Sequence, residues 1–167
     1  MTIAEFDNLD PSLKETLLYQ CCGSTTWVKK VLKELPAEDL VDLLEIAEDK
    51  WYECSEADWM DAFTQHPQIG DLQSLKAKFT TSHLAASEQS TVIHAPEETL
   101  RALADGNKAY LEKFGYIFIV CATGKSAHEM LSLLKARLTN SPTEEIKIAM
   151  EEQNKITKLR LEKMFAA

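Results

Sequence analysis

Glycine and proline are scarce, at five residues each among 167, and a turn-rich all-β architecture needs more of both. Any basic excess is missing too. The net charge is −9, which argues against non-specific binding to nucleic acid, whose phosphates demand a basic face. An anionic small molecule is not excluded by that charge, because a pocket sets its own local field. No stretch approaches the roughly 18–20 uninterrupted apolar residues of a membrane helix, so no membrane partner is expected. The start, Met1-Thr2-Ile3-Ala4-Glu5, has no basic region leading into an apolar core, so no signal peptide is expected. The end, Met164-Phe165-Ala166-Ala167, is not a peroxisomal address of the Ser-Lys-Leu type. The four cysteines, Cys21, Cys22, Cys54 and Cys121, lack Cys-x-x-Cys spacing. Adjacent cysteines rarely pair with each other, so buried free thiols in a reducing compartment, by default the cytoplasm, are expected.

What is present is the balance of an ordinary globule, 45% apolar and 27% charged, long enough to bury a real core in one domain spanning 1–167. Helix start and stop signals follow one another along the chain. Thr2-x-x-Glu5 is a capping box. Asp10-Pro11 places a cap before a first-turn proline, Leu13, Leu17 and Leu18 supply an apolar face, and Gly23 suits a left-handed exit. Ser24 opens a helix carrying Trp27, Val31 and Leu32 that ends near Pro36. Leu40, Leu43, Leu44, Ala47 and Trp51 recur at threes and fours, as on a core-facing helix. Ser55-x-x-Asp58 starts another, with Trp59, Ala62 and Phe63 inward, and Pro67 and Gly70 break the pattern just after His66. Leu100, Leu103, Ala104, Tyr110, Leu111 and Phe114 run from Pro96 to Gly115. Ser126-x-x-Glu129 and Ser141-Pro142-Thr143-Glu144 cap the last two helices. The expectation is an all-α fold, a single-domain bundle of about eight helices with one short extended or irregular segment near residues 116–122.

That segment, Tyr116-Ile117-Phe118-Ile119-Val120-Cys121, is β-branched and aromatic, and on propensity alone it is a strand. No other segment offers it a partner, and a lone buried strand leaves its amides unpaired. Its neighbours draw it into a helix, or it stays extended with its backbone satisfied by protein and water or by a ligand rich in carbonyl and amide groups.

Several chemical signals fail. Gly124-Lys125-Ser126 resembles the end of a phosphate-binding loop, but that motif needs glycine where Ile119 stands. His66, His83, His94 and His128 show no zinc-binding spacing, so no metal is expected. Gly-x-Ser-x-Gly is absent, and the Trp and Met residues fall at helical spacing, as core residues do. His66 is sharper, because it sits where an apolar-faced helix stops, and an ordinary imidazole exchanges a proton near neutrality. Taken alone, such a histidine is more often a cap or a surface residue. Likewise Glu88 and Gln89, in Ala85-Ala86-Ser87-Glu88-Gln89-Ser90, are of a type usually solvated at a helix start.

In combination the motifs carry more. His66-Pro67-Gln68-Ile69-Gly70-Asp71, Ser87-Glu88-Gln89, the run from Lys113 to Ala122, and Ile156-Thr157-Lys158-Leu159-Arg160-Leu161 together resemble the OHCU decarboxylase family, in order over nearly the whole chain. OHCU is 2-oxo-4-hydroxy-4-carboxy-5-ureidoimidazoline, an unstable product of urate breakdown that the family converts to (S)-allantoin. The resemblance implies an all-α homodimer that uses no cofactor. It implies a catalytic histidine at His66 with Pro67 beside it, and substrate contacts from Ala85, Ser87, Glu88 and Gln89. It also implies backbone contacts from Ile119, Val120, Cys121, Ala122 and Thr123, which fall within and just past the anomalous segment. The chain departs from the family at three positions. Gln68 stands where many relatives carry Arg and others Asp, Ala85 where some carry Ser, and Thr123 where some carry Arg. A substrate carboxylate then needs another cation, for which Arg160 and Lys125 are the candidates. The three departures also keep open a non-catalytic module that binds a purine-derived ligand on the same scaffold. A helical protein-interaction domain is a further alternative, but the apolar residues are already accounted for by inward faces.

Overall fold

A computed structural model describes residues 1–67, 73–77 and 96–166. Local chemistry starts each helix. Thr2 Oγ1 accepts from the Glu5 amide at 3.1 Å and the Glu5 carboxylate accepts from the Thr2 amide at 2.7 Å, so the expected capping box opens α1 (Ile3–Asp7). Asp10 caps α2 (Pro11–Cys21), with Pro11 in its first turn. Ser24 caps α3 (Thr25–Glu34), Asp39 caps α4 (Leu40–Tyr52), and Ser55 with Asp58 forms a second capping box at α5 (Glu56–Thr64). A helical piece over 73–77 (α6) has no counterpart among the helices expected from the sequence. α7 (Glu97–Phe114) runs from Pro96 to Gly115, whose φ of 82° is the left-handed exit that glycine makes at no steric cost. Ser126 caps α8 (Ala127–Leu138). Ser141 and Glu144 exchange two bonds of 3.3 Å at the head of α9 (Pro142–Phe165). Among the described residues every regular element is helical, and residues 117–122 form none. The all-α fold with an irregular piece at that place is what the sequence predicts. No helix among the described residues is long and apolar enough to cross a membrane.

The backbone divides into two compact units. The first comprises Met1–His66, Ile119–Cys121 and Ile146–Ala167, and the second Pro67–Phe118 and Ala122–Glu145. In the first unit α3 lies against α2, α4 and α5. Its core contains Phe6, Leu18, Trp27, Leu43, Trp51, Phe63 and Leu161, all at 2% exposure or less. Burying the indoles requires partners for their N–H groups, and each has one. Trp27 donates to the Ala47 carbonyl at 2.8 Å, Trp51 to that of Met150 at 2.8 Å, and Trp59 to that of Trp51 at 3.1 Å. All four cysteines are free and buried, as expected.

In the second unit α7 packs along α8. Its buried side chains include Leu100, Leu103, Tyr110, Met130 and Leu134. Tyr110 sits among the rings of Phe114, Tyr116 and Phe118, with centroids 4.6–5.8 Å away. A charged group is buried beside this cluster. Glu145, fully inaccessible, accepts from the Tyr110 hydroxyl at 2.5 Å, from Arg137 Nε at 2.6 Å and from the Asn140 amide at 2.9 Å. The Arg137 guanidinium also lies 4.5 Å from the Phe118 ring centre.

Two local readings are corrected. Leu13, assigned with Leu17 and Leu18 to the apolar face of α2, is 44% exposed, whereas Leu18 is buried as expected and Cys21 is buried beside it. Gly23 does not take a left-handed exit, since α2 leaves through an extended Cys22 (φ −145°, ψ 116°). Glycine is needed there for room: a Cβ on Gly23 would stand 2.2 Å from Gln65 Cγ and 2.6 Å from Gln65 Cβ. Rotating the Gln65 side chain can move its Cγ, but its Cβ is fixed to the backbone and cannot swing away. Gly23→Ala is therefore expected to cost about 1–3 kcal/mol by overpacking, read by urea denaturation. Most of that loss should vanish in the background of Gln65→Gly, and an equal loss in both backgrounds would refute the steric account.

Candidate active site

His66 stands one residue past the C-cap of α5, and its amide donates to the Phe63 carbonyl at 3.3 Å. Phe63 is fully buried, so the last turn of α5 is anchored. Pro67, which follows, cannot continue a helix. The His66 ring is half-buried and turned toward α9, where Nε2 is hydrogen-bonded to Gln153 Oε1. Gln153 is 1% exposed, and its own Nε2 donates to Thr157 Oγ1 at 3.1 Å. Thr157 is itself buried, at 3% exposure. One turn further along the same face, Arg160 Nη1 donates to the Cys21 carbonyl at 3.2 Å. Positions 153, 157 and 160 share one side of a helix because they are four and three residues apart.

Burial holds the His66 pKa below its ordinary 6.5; the bond to Gln153 works the other way, and the charge of Arg160 lowers it further. The ring is therefore neutral at physiological pH. Burial pushes the neighbouring thiols up, Cys21 to about 11 and Cys22 to about 12. They stay protonated and unreactive.

The irregular segment meets α9 beside this histidine's partner. Ile119 and Cys121 are buried, and the Cys121 amide donates to Glu152 Oε1 at 3.4 Å. Glu152, which also pairs with Lys155 at 2.6 Å, precedes Gln153 in the chain. His66 and Ile119–Cys121, expected in one site, thus belong to one unit and bond to adjacent residues of one helix. Val120 between them is half-buried. Ala122 and Thr123 count to the second unit, where Lys125 closes a turn by donating to the Ala122 carbonyl at 3.1 Å and Thr123 is exposed. Pro67 is exposed and also counts to the second unit. Gln68, Ala85, Ser87, Glu88 and Gln89 lie outside the described residues.

Gln153 and Thr157 were not among the residues expected in the site. One signal marks them. On α9 the buried positions Ile146, Ala149, Met150 and Leu161 set an apolar register, and Gln153 and Thr157 occupy buried places within it. A polar side chain where the helical period calls for an apolar one has a partner to find. Among the described residues no group of three or more His, Cys, Asp or Glu side chains is arranged to hold a metal ion. The arrangement presents a neutral imidazole fixed at one nitrogen, with a guanidinium in electrostatic reach, and such a ring can take up and return a proton.

Known proteins with this chain's features are consistent in kind. Residues 7–162 match the OHCU decarboxylase family. Over 148 residues, 87% of this chain, it is 39% identical to the uric acid degradation bifunctional protein of Arabidopsis thaliana, of whose length it spans 45%. It is 24% identical over 165 residues to a 2-oxo-4-hydroxy-4-carboxy-5-ureidoimidazoline decarboxylase of Halalkalicoccus jeotgali, covering 98% of this chain and 92% of that one. The crystal structure of an OHCU decarboxylase in the presence of (S)-allantoin superposes with a TM-score of 0.72 at 35% identity, covering 89% of this chain and 96% of that one. A family match that takes in almost the entire sequence, from α1 to the last turns of α9, makes this chain a member of the OHCU decarboxylase family.

Proposed function

We propose that the protein decarboxylates OHCU to (S)-allantoin without a metal or organic cofactor, and that His66 moves the proton. The observation that carries this reading is the His66 ring bonded to Gln153, which lies on a helix face that also bears Arg160, in the unit containing Ile119–Cys121. The substrate brings its own electron sink. When the bond from the ring carbon to the carboxylate breaks, carbon dioxide leaves, the pair forms a double bond to the neighbouring imine carbon, and the imine nitrogen takes up a proton from solvent. The hydroxyl then gives up its proton to become a carbonyl, and the former imine carbon gains one. The protein needs only to orient the carboxylate, hold the ring and deliver that last proton to one face. A ring that rests neutral suits a relay: His66 accepts the hydroxyl proton and returns it to carbon. In this reading Arg160 pairs with the substrate carboxylate. Pro67, Ala85, Ser87, Glu88 and Gln89 line the substrate, and the backbone of Ile119–Thr123 meets the imidazoline and ureido groups. The proposal extends to a homodimer, which the family resemblance supports, and to the cytoplasm, where buried free thiols persist.

Freshly generated OHCU separates the readings. With the protein present its decay should accelerate and the product should be a single enantiomer by circular dichroism. A binding module would slow the decay instead. Either that slowing or an unchanged rate with racemic product rejects the enzymatic reading, and sedimentation velocity reads the dimer independently.

A further inference from the structure

The side chains behind His66 form a chain of their own. Gln153 Oε1 has no hydrogen to give, and Gln153 Nε2 is committed to Thr157 Oγ1. The amide is thereby fixed with its oxygen toward the ring, which must present Nε2–H to it. Thr157, at 3% exposure, is buried in the same unit, which keeps its hydroxyl in place for the Gln153 amide. An amide so placed costs free energy unless both ends are satisfied, and an aliphatic residue would fill the same apolar register. Gln153 is buried and bonded at both its amide oxygen and its amide nitrogen, at a place in the helix that an aliphatic residue would also suit.

We propose that Gln153, held by Thr157, is a positioning residue for His66: it accepts the hydrogen bond from Nε2–H, fixes one tautomer and leaves Nδ1 as the nitrogen that exchanges protons with the substrate. This rests on the decarboxylase reading for its consequence, but the tautomer itself is a property of the free protein. It parallels the general way a histidine's working nitrogen is chosen by what its other nitrogen binds. The charged group acting on the ring from α9 is Arg160. It opposes a second proton on the ring, so the tautomer is kept as the pH falls toward neutrality.

The test is made on the full chain. Nitrogen-15 spectra, with the His66 signal assigned by its loss in His66→Asn, should show a pyrrole-type Nε2 and a pyridine-type Nδ1. Gln153→Met keeps the volume and removes the acceptor. It should give a mixed tautomer and a kcat lower by on the order of tenfold with little change in KM, because orientation is lost while binding is kept. Gln153→Glu restores an acceptor. It should restore the tautomer and shift the pH dependence of kcat upward by about 1–3 units through the added negative charge. If Gln153→Met fails to fold, Thr157→Val frees the Gln153 amide to rotate and should mix the tautomers in the same way. A wild-type ring protonated at Nδ1, or a Gln153→Met spectrum identical to wild type, overturns the proposal. Failure of the wild-type protein to accelerate OHCU decay would instead overturn the decarboxylase reading, with the spectra still deciding the role of Gln153.

Discussion

His66→Asn should remove most of the rate acceleration on OHCU, about a hundred- to ten-thousand-fold, which is the usual worth of a general acid–base group. Asparagine can still place an N–H near Gln153 Oε1, so the buried amide keeps a partner and the fold should survive. Stereochemistry is the more sensitive readout. OHCU also decays by itself, so a crippled enzyme still yields allantoin, but the proton then arrives on either face. The variant's product, followed by circular dichroism in a coupled urate-oxidation assay, should approach a racemate. A variant that matched the wild-type rate and optical purity would remove His66 from the chemistry altogether.

The largest expected effect on stability lies in the second unit. Arg137→Met leaves Glu145 as a carboxylate with no solvent exposure, still bonded to the Tyr110 hydroxyl and Asn140 amide but without its cation. Breaking a buried ion pair from one side costs about 3–5 kcal/mol, because the remaining charge is neither solvated nor compensated. Adding Glu145→Gln to Arg137→Met should recover a large part of that loss. The neutral amide still accepts from Tyr110, and no buried charge is left over. Urea denaturation followed by far-ultraviolet ellipticity measures both. A single-variant loss below about 1 kcal/mol, the range of exposed pairs, would show that the pair is screened despite its burial.

How much of this could be read from the residues depends on how far each cause acts along the chain. The helix starts were legible because a cap is settled within three or four residues: Thr2 with Glu5, Ser55 with Asp58 and Ser141 with Glu144 all do what their spacing predicts. Irregularity at residues 117–122 was legible as a conflict, a strand-like composition with no partner strand. Gly23 was misread because its cause is remote: the atoms that forbid a Cβ belong to Gln65, at the end of another helix. The polar interior was invisible for the same reason. Tyr110 and Glu145 are 35 residues apart and His66 and Gln153 are 87 apart, and periodicity alone says that α9 buries a face without naming what that face will meet. His66 could be singled out at a helix end, yet its partner, which decides the nitrogen it works with, could not.

The three indoles, each tied to a main-chain carbonyl, all fall in the first unit. The intrinsic emission of the protein under selective excitation is therefore a local gauge: it reports the half that holds His66 and is blind to the half that holds Glu145. Ellipticity sums over both. Recording the two signals on one sample shows directly whether damage at Arg137 stays where it was made or reaches the surroundings of His66.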